Sequence, residues 1–155
     1  MPSLLKALIC FIGWVLIAAP GFAQEPDLAD SVWRNQSGSY LLITEIDETG
    51  RFSGAYFNQA SGYRCQGLAY ETEGRVHAGM IGFQVAWEHP AERCDSLTVW
   101  AGRIQGDVIT TRWLLARAGN GELLEGESRF ERLEGRSAGE LHAEWRANEM
   151  TETPR

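Results

Sequence analysis

The residues of this chain that can recognise a ligand lie on short runs that mix aromatic and polar side chains. Trp33 and Asn35 are two apart, as are Phe83, Val85 and Trp87, then Ser96, Thr98 and Trp100, then Thr111, Trp113 and Leu115. Successive side chains of a strand point to opposite faces, so each set shares one face. A β core is ordinarily aliphatic. One that holds indoles beside hydroxyls and an amide must satisfy those polar groups internally or offer them to a ligand, since an unpaired buried polar group costs about 1–3 kcal/mol. The expected chemistry is hydrogen-bonded recognition inside an aromatic cage. Catalysis fits poorly: His77 and His89 lack a partnered nucleophile or paired carboxylate and read as exposed turn residues.

The elements that must position these residues recur between turn signals. Apolar-rich runs at 32–35, 39–46, 51–58, 66–73, 80–88, 96–104, 108–116 and 123–133 alternate with Asp47-Glu48-Thr49-Gly50, the Gly62 loop, Gly74, His89-Pro90, Gln105-Gly106-Asp107 and Gly119-Asn120-Gly121. Evenly spaced strands with glycine-bearing turns predict an all-β fold, either an antiparallel up-and-down barrel or a sandwich. A closed barrel of eight strands has no edges and holds a filled core or one small ligand. After Leu133 the pattern stops. Glu134 to Arg155 carries two glycines, many charges and one aromatic, Trp145, and reads as a mobile tail with at most a weak amphipathic helix over 138–150.

Lys6 precedes an apolar run from Ala7 to Ala19, then Pro20-Gly21-Phe22-Ala23. This reads as a secretory signal peptide over 1–23, too short to span a bilayer, with cleavage after Ala23 and one domain over 24–133. The expected location is secreted or periplasmic. Cys10 leaves with the leader, and Cys65 and Cys94 form an even pair in an oxidising compartment, so a disulfide is expected. Loop entropy would make it worth roughly 3–4 kcal/mol. The thiols and His77, His89 and His142 show no metal-ligand spacing. The net charge is −7 and Lys6 is the one lysine, so scattered arginines supply the remaining positive charge. That pattern offers no footprint for nucleic acid or an anionic membrane.

Six motifs, in order, carry a family resemblance: Trp33-x-Asn35-x-x-Gly38-Ser39, Gly54-x-Tyr56, Val85-Ala86-Trp87, Ser96-x-Thr98-x-Trp100, Thr111-x-Trp113-Leu114-Leu115 and Gly126-x-x-x-Phe130. Each alone is weak. Together, at strand spacing from Trp33 to Leu133, they resemble the avidin/streptavidin family. The resemblance implies an eight-stranded antiparallel up-and-down β-barrel that binds biotin non-covalently at one open end, with no enzymatic step and no cofactor. It implies that Asn35, Ser39 and Tyr56 donate to the ureido oxygen, while Asn58 and Ser128 meet the ureido N–H groups. Thr98 would face the thioether and Ser96 the carboxylate. Trp87, Trp100 and Trp113 would form the walls, with Phe83 beside them and Trp33 deeper. Asn35-Gln36-Ser37 is also a formal glycosylation sequon, which an inward asparagine could not use.

Two rivals share the shape. A periplasmic protease inhibitor would not need the inward Asn35, Ser39 and Tyr56, and a lipocalin-like carrier would have a mostly aliphatic pocket. Two departures from the family pattern matter. The segment 118–125 has no tryptophan, where tetrameric members place one over a neighbour's ligand. With Cys65 and Cys94 in rim loops, this resembles the rhizavidin-like dimeric avidins and implies a homodimer, leaving room for higher assembly through the tail. A disulfide there would lower the cost of ordering the rim. The other departure is Ser128, where the family usually has Asp or Asn. Losing a charged acceptor costs about 1–3 kcal/mol. Ser128→Asp is therefore expected to slow biotin dissociation, read by competition with a labelled ligand; an unchanged or faster rate would sink this role.

Overall fold

The computed structural model describes residues 27–89, 93–119 and 121–152; the expected leader over 1–23 lies outside them. Strands β1 (Ser31–Asn35), β2 (Tyr40–Ile46), β3 (Arg51–Phe57), β4 (Ala69–His77), β5 (Met80–Trp87), β6 (Ser96–Gln105), β7 (Val108–Arg117) and β8 (Leu123–Arg132) pair antiparallel in chain order. β8 returns to β1, with Trp33 opposite Arg132 and Asn35 opposite Phe130. The architecture is therefore a closed up-and-down barrel rather than a sandwich. Gln36, just past β1, lengthens this seam with its side chain: its amide nitrogen, Nε2, donates to the Glu127 carbonyl at 2.9 Å and its Oε1 accepts from Arg129 N–H at 2.9 Å.

The period-2 pattern sets what faces inward. Phe83, Trp100, Trp113 and Gly126 are opposite one another on consecutive strands, and Val85, Thr98 and Leu115 form the next row. Trp33, Leu41, Ile43, Phe52, Val76, Ile81, Ile109 and Phe130 fill the interior. Trp33 serves as core, its Nε1 donating to Ser31 Oγ at 2.8 Å. Gly126 makes room for an indole: a Cβ there would overlap the Trp113 ring.

Seven strands lie within one residue of their expected limits, but β4 does not. Gly74, expected as a turn, sits mid-strand between Phe52 and Phe83. A Cβ on it would collide with the Phe52 ring and the Gly82 carbonyl, so this glycine serves close packing. The real turn is Ala78-Gly79, both with positive φ (50° and 74°), the geometry that matches hairpin twist. Alanine in its first position hides that signal.

The chain after Leu133 also differs from the expected mobile tail. Ala138–Glu152 forms helix α1 against the outside of β2 and β4. Ser137 caps it, its Oγ accepting from Glu140 N–H at 3.2 Å, and Asp30 Oδ1 accepts from Ser137 Oγ and Gly139 N–H. Those bonds, Gly139's first, hold the Asp30 carboxyl below its ordinary value. Ala138 and Leu141 bury against Val32, Leu42 and Ala55. The helix docks through so few apolar residues that its periodicity is faint, yet Ser137-x-x-Glu140 is a capping-box signature. Among the described residues, no helix is long and apolar enough to cross a membrane.

Gly74→Ala is expected to cost about 1–3 kcal/mol by overpacking, lowering the thermal midpoint by several degrees. A midpoint equal to wild type would show that Phe52 can yield.

Candidate functional site

Large apolar side chains crowd one end of the barrel, and a cavity of about 540 Å3 opens at the other. Asn35, Ser39, Tyr56, Asn58, Trp87, Ser96, Thr98, Trp100, Trp113 and Ser128 all line it. Strand alternation brings them together: Asn35 closes β1, Tyr56 lies on β3, Trp87 on β5, Ser96, Thr98 and Trp100 on β6, Trp113 on β7 and Ser128 on β8. Phe83 is the exception. It lies beneath the cavity, its ring stacked on Trp100 at 4.8 Å and 8°, and supports the floor instead of lining it. On β5 it sits one inward position deeper than Val85 and two deeper than Trp87, a depth that the alternating pattern alone does not reveal.

The polar cluster is built from a turn. Asn35 Oδ1 accepts the N–H groups of Ser37 and Ser39 at 3.0 and 2.9 Å, tying the β1–β2 connection, which Gly38 completes at φ 85°. That leaves the Asn35 amide nitrogen as donor, and it donates to the Tyr56 hydroxyl at 3.2 Å. Ser39 Oγ accepts from Gln59 N–H at 3.0 Å and donates to Asn58 Oδ1 at a long 3.4 Å. Burial pushes the Tyr56 hydroxyl well above its ordinary value, against weaker opposing pulls from Ser39 and Asn35. Tyr56 is therefore a neutral O–H at any ordinary pH. Three groups with hydrogens to give thus converge at the cavity floor, as an oxygen bearing partial negative charge requires.

The aromatic wall is held from behind. Trp87 Nε1 donates to Thr98 Oγ1 at 2.8 Å, fixing indole and hydroxyl together. Tyr56 stacks on Trp100 at 5.0 Å and meets Trp87 edge-on at 5.7 Å. Tyr70 packs edge-on against Trp87 at 4.8 Å, a supporting contact that the sequence reading did not single out.

At the rim, Cys65 and Cys94 are joined across 29 residues with their Cα atoms 6.2 Å apart. The bond links the 58–68 loop to the segment before β6. Asn58 also builds the rim: its Oδ1 accepts from Ala60 N–H at 3.0 Å and its Nδ2 donates to the Arg64 carbonyl at 3.2 Å. Ser96 Oγ donates to the Cys94 carbonyl at 2.6 Å. Arg64, Arg93 and Arg117 stand around the mouth with Asp95 and Glu127, and Arg117 pairs with Glu122 at 2.9 Å.

Comparison with known proteins agrees with this geometry. Residues 23–126 match the Avidin family. Afifavidin from Afifella pfennigii is 33% identical over 132 residues, covering 74% of this chain and 82% of that protein. Among solved structures, apo shwanavidin in its P21 form has a TM-score of 0.65 at 35% identity, covering 72% of this chain and 100% of that one. The rhizavidin–biotin complex has a TM-score of 0.62 at 39% identity, covering 68% and 92%. A closed eight-stranded barrel, a polar floor beneath tryptophan walls and a family match over most of the barrel lead to one conclusion: this chain belongs to the avidin family.

Proposed function

We propose that this protein is a high-affinity, non-covalent biotin-binding protein that works as an exported homodimer and performs no chemical step. One observation carries the reading: Asn35, Ser39 and Tyr56 converge at the floor of a tryptophan-walled cavity large enough for a single small ligand. A ureido carbonyl carries a strong partial negative charge and accepts several hydrogen bonds, which three preset donors match. Its polar ring would be flanked by Trp87, Trp100 and Trp113. Thr98 lies where it can meet a thioether, and Ser96 and the rim arginines face the end that would hold a carboxylate. Ser128 is buried on β8, the strand beside the one that carries Asn35, and would supply a hydroxyl as acceptor for a ureido N–H. Asn58 contributes through the rim loop, because its amide is already engaged there. Phe83 acts through Trp100. Biotin in the related rhizavidin structure supports this choice of ligand.

Ligand binding to the native state alone stabilises it by RT ln(1 + [L]/Kd), about 8 kcal/mol for nanomolar affinity at 1 mM ligand. Biotin is therefore expected to raise the thermal midpoint by tens of degrees, and no shift would overturn the reading. Tyr56→Phe should speed dissociation about 10- to 100-fold, the loss of a hydrogen bond worth about 1–3 kcal/mol. Because Tyr56 stays protonated and the described residues lining the cavity include no histidine, wild-type affinity should hold flat between about pH 5 and 9. Tyr56's share of folding stability is complete below about pH 10, its unfolded value, and declines as pH rises beyond that toward the raised native value. An affinity that titrates near neutrality would mean that another group controls the site.

The dimer rests on the outer face of β6–β8. Leu97, Val99, Leu114 and Leu123 are 41, 40, 42 and 62% exposed, and the register sets Val99 beside Leu114 and both Leu97 and Leu123 beside Ala116. An apolar stripe like this on a small acidic protein marks an interface, and a twofold axis lets one patch cover its copy. Leu114→Glu is expected to convert a dimer to a monomer in light scattering after size exclusion; a wild-type chain that is already monomeric, or a variant still dimeric, would remove this interface.

A further inference from the structure

Helix α1 lies on the outer wall directly behind residues that face the cavity. Outward and inward side chains alternate along one backbone, so whatever grips an outward residue also sets its neighbours. Tyr40 follows Ser39, and Phe57 lies between Tyr56 and Asn58. Register places Tyr40 opposite Phe57 and Phe57 opposite Ala69, a row crossing the ends of three strands. Trp145 stacks on Phe57 at 4.4 Å and 25° and meets Tyr40 at 5.6 Å and 64°. One turn later, Glu149 Oε1 accepts the Ala69 N–H at 2.5 Å.

Phe57 and Ala69 are the two feet of the 58–68 loop, which brings Asn58, Tyr63, Arg64 and Cys65 to the cavity. The helix therefore holds both feet from outside, while the disulfide holds the crest. Between feet and cap, Glu71 on β4 meets His142 at 3.8 Å and pairs with Arg146. The barrel itself closes through β1 and β8 without α1, so the helix is not needed to complete the sheet.

We propose that Trp145 and Glu149 are positioning residues for the ligand site: α1 straps the base of the 58–68 loop and so sets how long ligand stays bound. This rests on the biotin reading above. Ordering a rim loop before ligand arrives removes that cost from binding, and such preorganisation is expected chiefly in the dissociation rate.

The test uses the full exported chain, with biotin dissociation followed by competition and amide hydrogen exchange of residues 58–68 followed without ligand. Trp145→Ala is expected to speed release roughly tenfold or more, about 1.4 kcal/mol, and to raise exchange in that loop. Trp145→Phe, which keeps a ring on Phe57, should restore most of both. Glu149→Ala, which removes one acceptor and little packing, should show a smaller effect of the same kind. Ile109→Val, fully buried on β7, supplies a control of lowered stability with unchanged release. The strap is overturned if Trp145→Ala and Glu149→Ala release biotin at the wild-type rate, or no faster than Ile109→Val. It is also overturned if loop exchange is unchanged in both helix variants. A wild type that does not bind biotin would instead defeat the functional reading, and the exchange measurement would still decide whether the helix orders the loop.

Discussion

Closure of the sheet is the constraint on which everything else depends. Once eight strands return on themselves, the interior has a fixed radius and receives every second side chain. This chain divides that interior unequally. Phe52, Phe83, Ile109, Phe130 and Trp33 crowd one end, while at the other, Trp87, Trp100 and Trp113 stand against the wall and leave space between them. Glycine is placed to the same purpose: Gly126 gives way to Trp113 and Gly74 to Phe52. The cavity is thus a consequence of where bulk is placed along the strands, and its floor is as rigid as the stacked rings beneath it.

The polar groups of the site are largely committed before any ligand arrives. Asn35 uses its oxygen on the β1–β2 turn, so the end left to face the cavity is its donor nitrogen. Asn58 spends both ends of its amide on the rim loop, and Thr98 is fixed by Trp87. Each residue is at once a structural tie and a lining group. Preset dipoles of this kind need little reorganisation when a charge distribution of the right sign arrives. They also blur any division between residues that fold the protein and residues that bind.

Much of this was legible in the sequence because it follows from a period of two. Trp33 and Asn35, Thr98 and Trp100, and Ser128 and Phe130 all face inward as the alternation requires. The misses have physical causes. Gly74 punctuates a sequence as a turn does, but here it answers a cross-strand ring. Phe83 shares a face with Trp87 but not a depth, because depth depends on how strands stagger around the barrel. Helix α1 was legible only as a weak helix over 138–150, and its docking was not, because the docking face has just Ala138, Leu141 and Trp145 among polar neighbours. Its counterpart was visible as the outward apolar row Val32, Leu42 and Ala55, which had no reason to be apolar unless something covered it.

All sheet neighbours but one are also neighbours in sequence. The exception is β1 with β8, a short ladder from Trp33 and Arg132 to Asn35 and Phe130 that the Gln36 side chain continues. Pairings distant in sequence carry the largest loop-closure cost, so this seam is the last contact to repay its entropy on folding and the natural place for the sheet to part. Asn35 stands on one side of it and Ser128 on the other. A molecule held between those two side chains spans the seam as a bolt spans a hoop. Occupancy of the cavity would then add a bridge across the one sheet pairing that joins the first strand to the last.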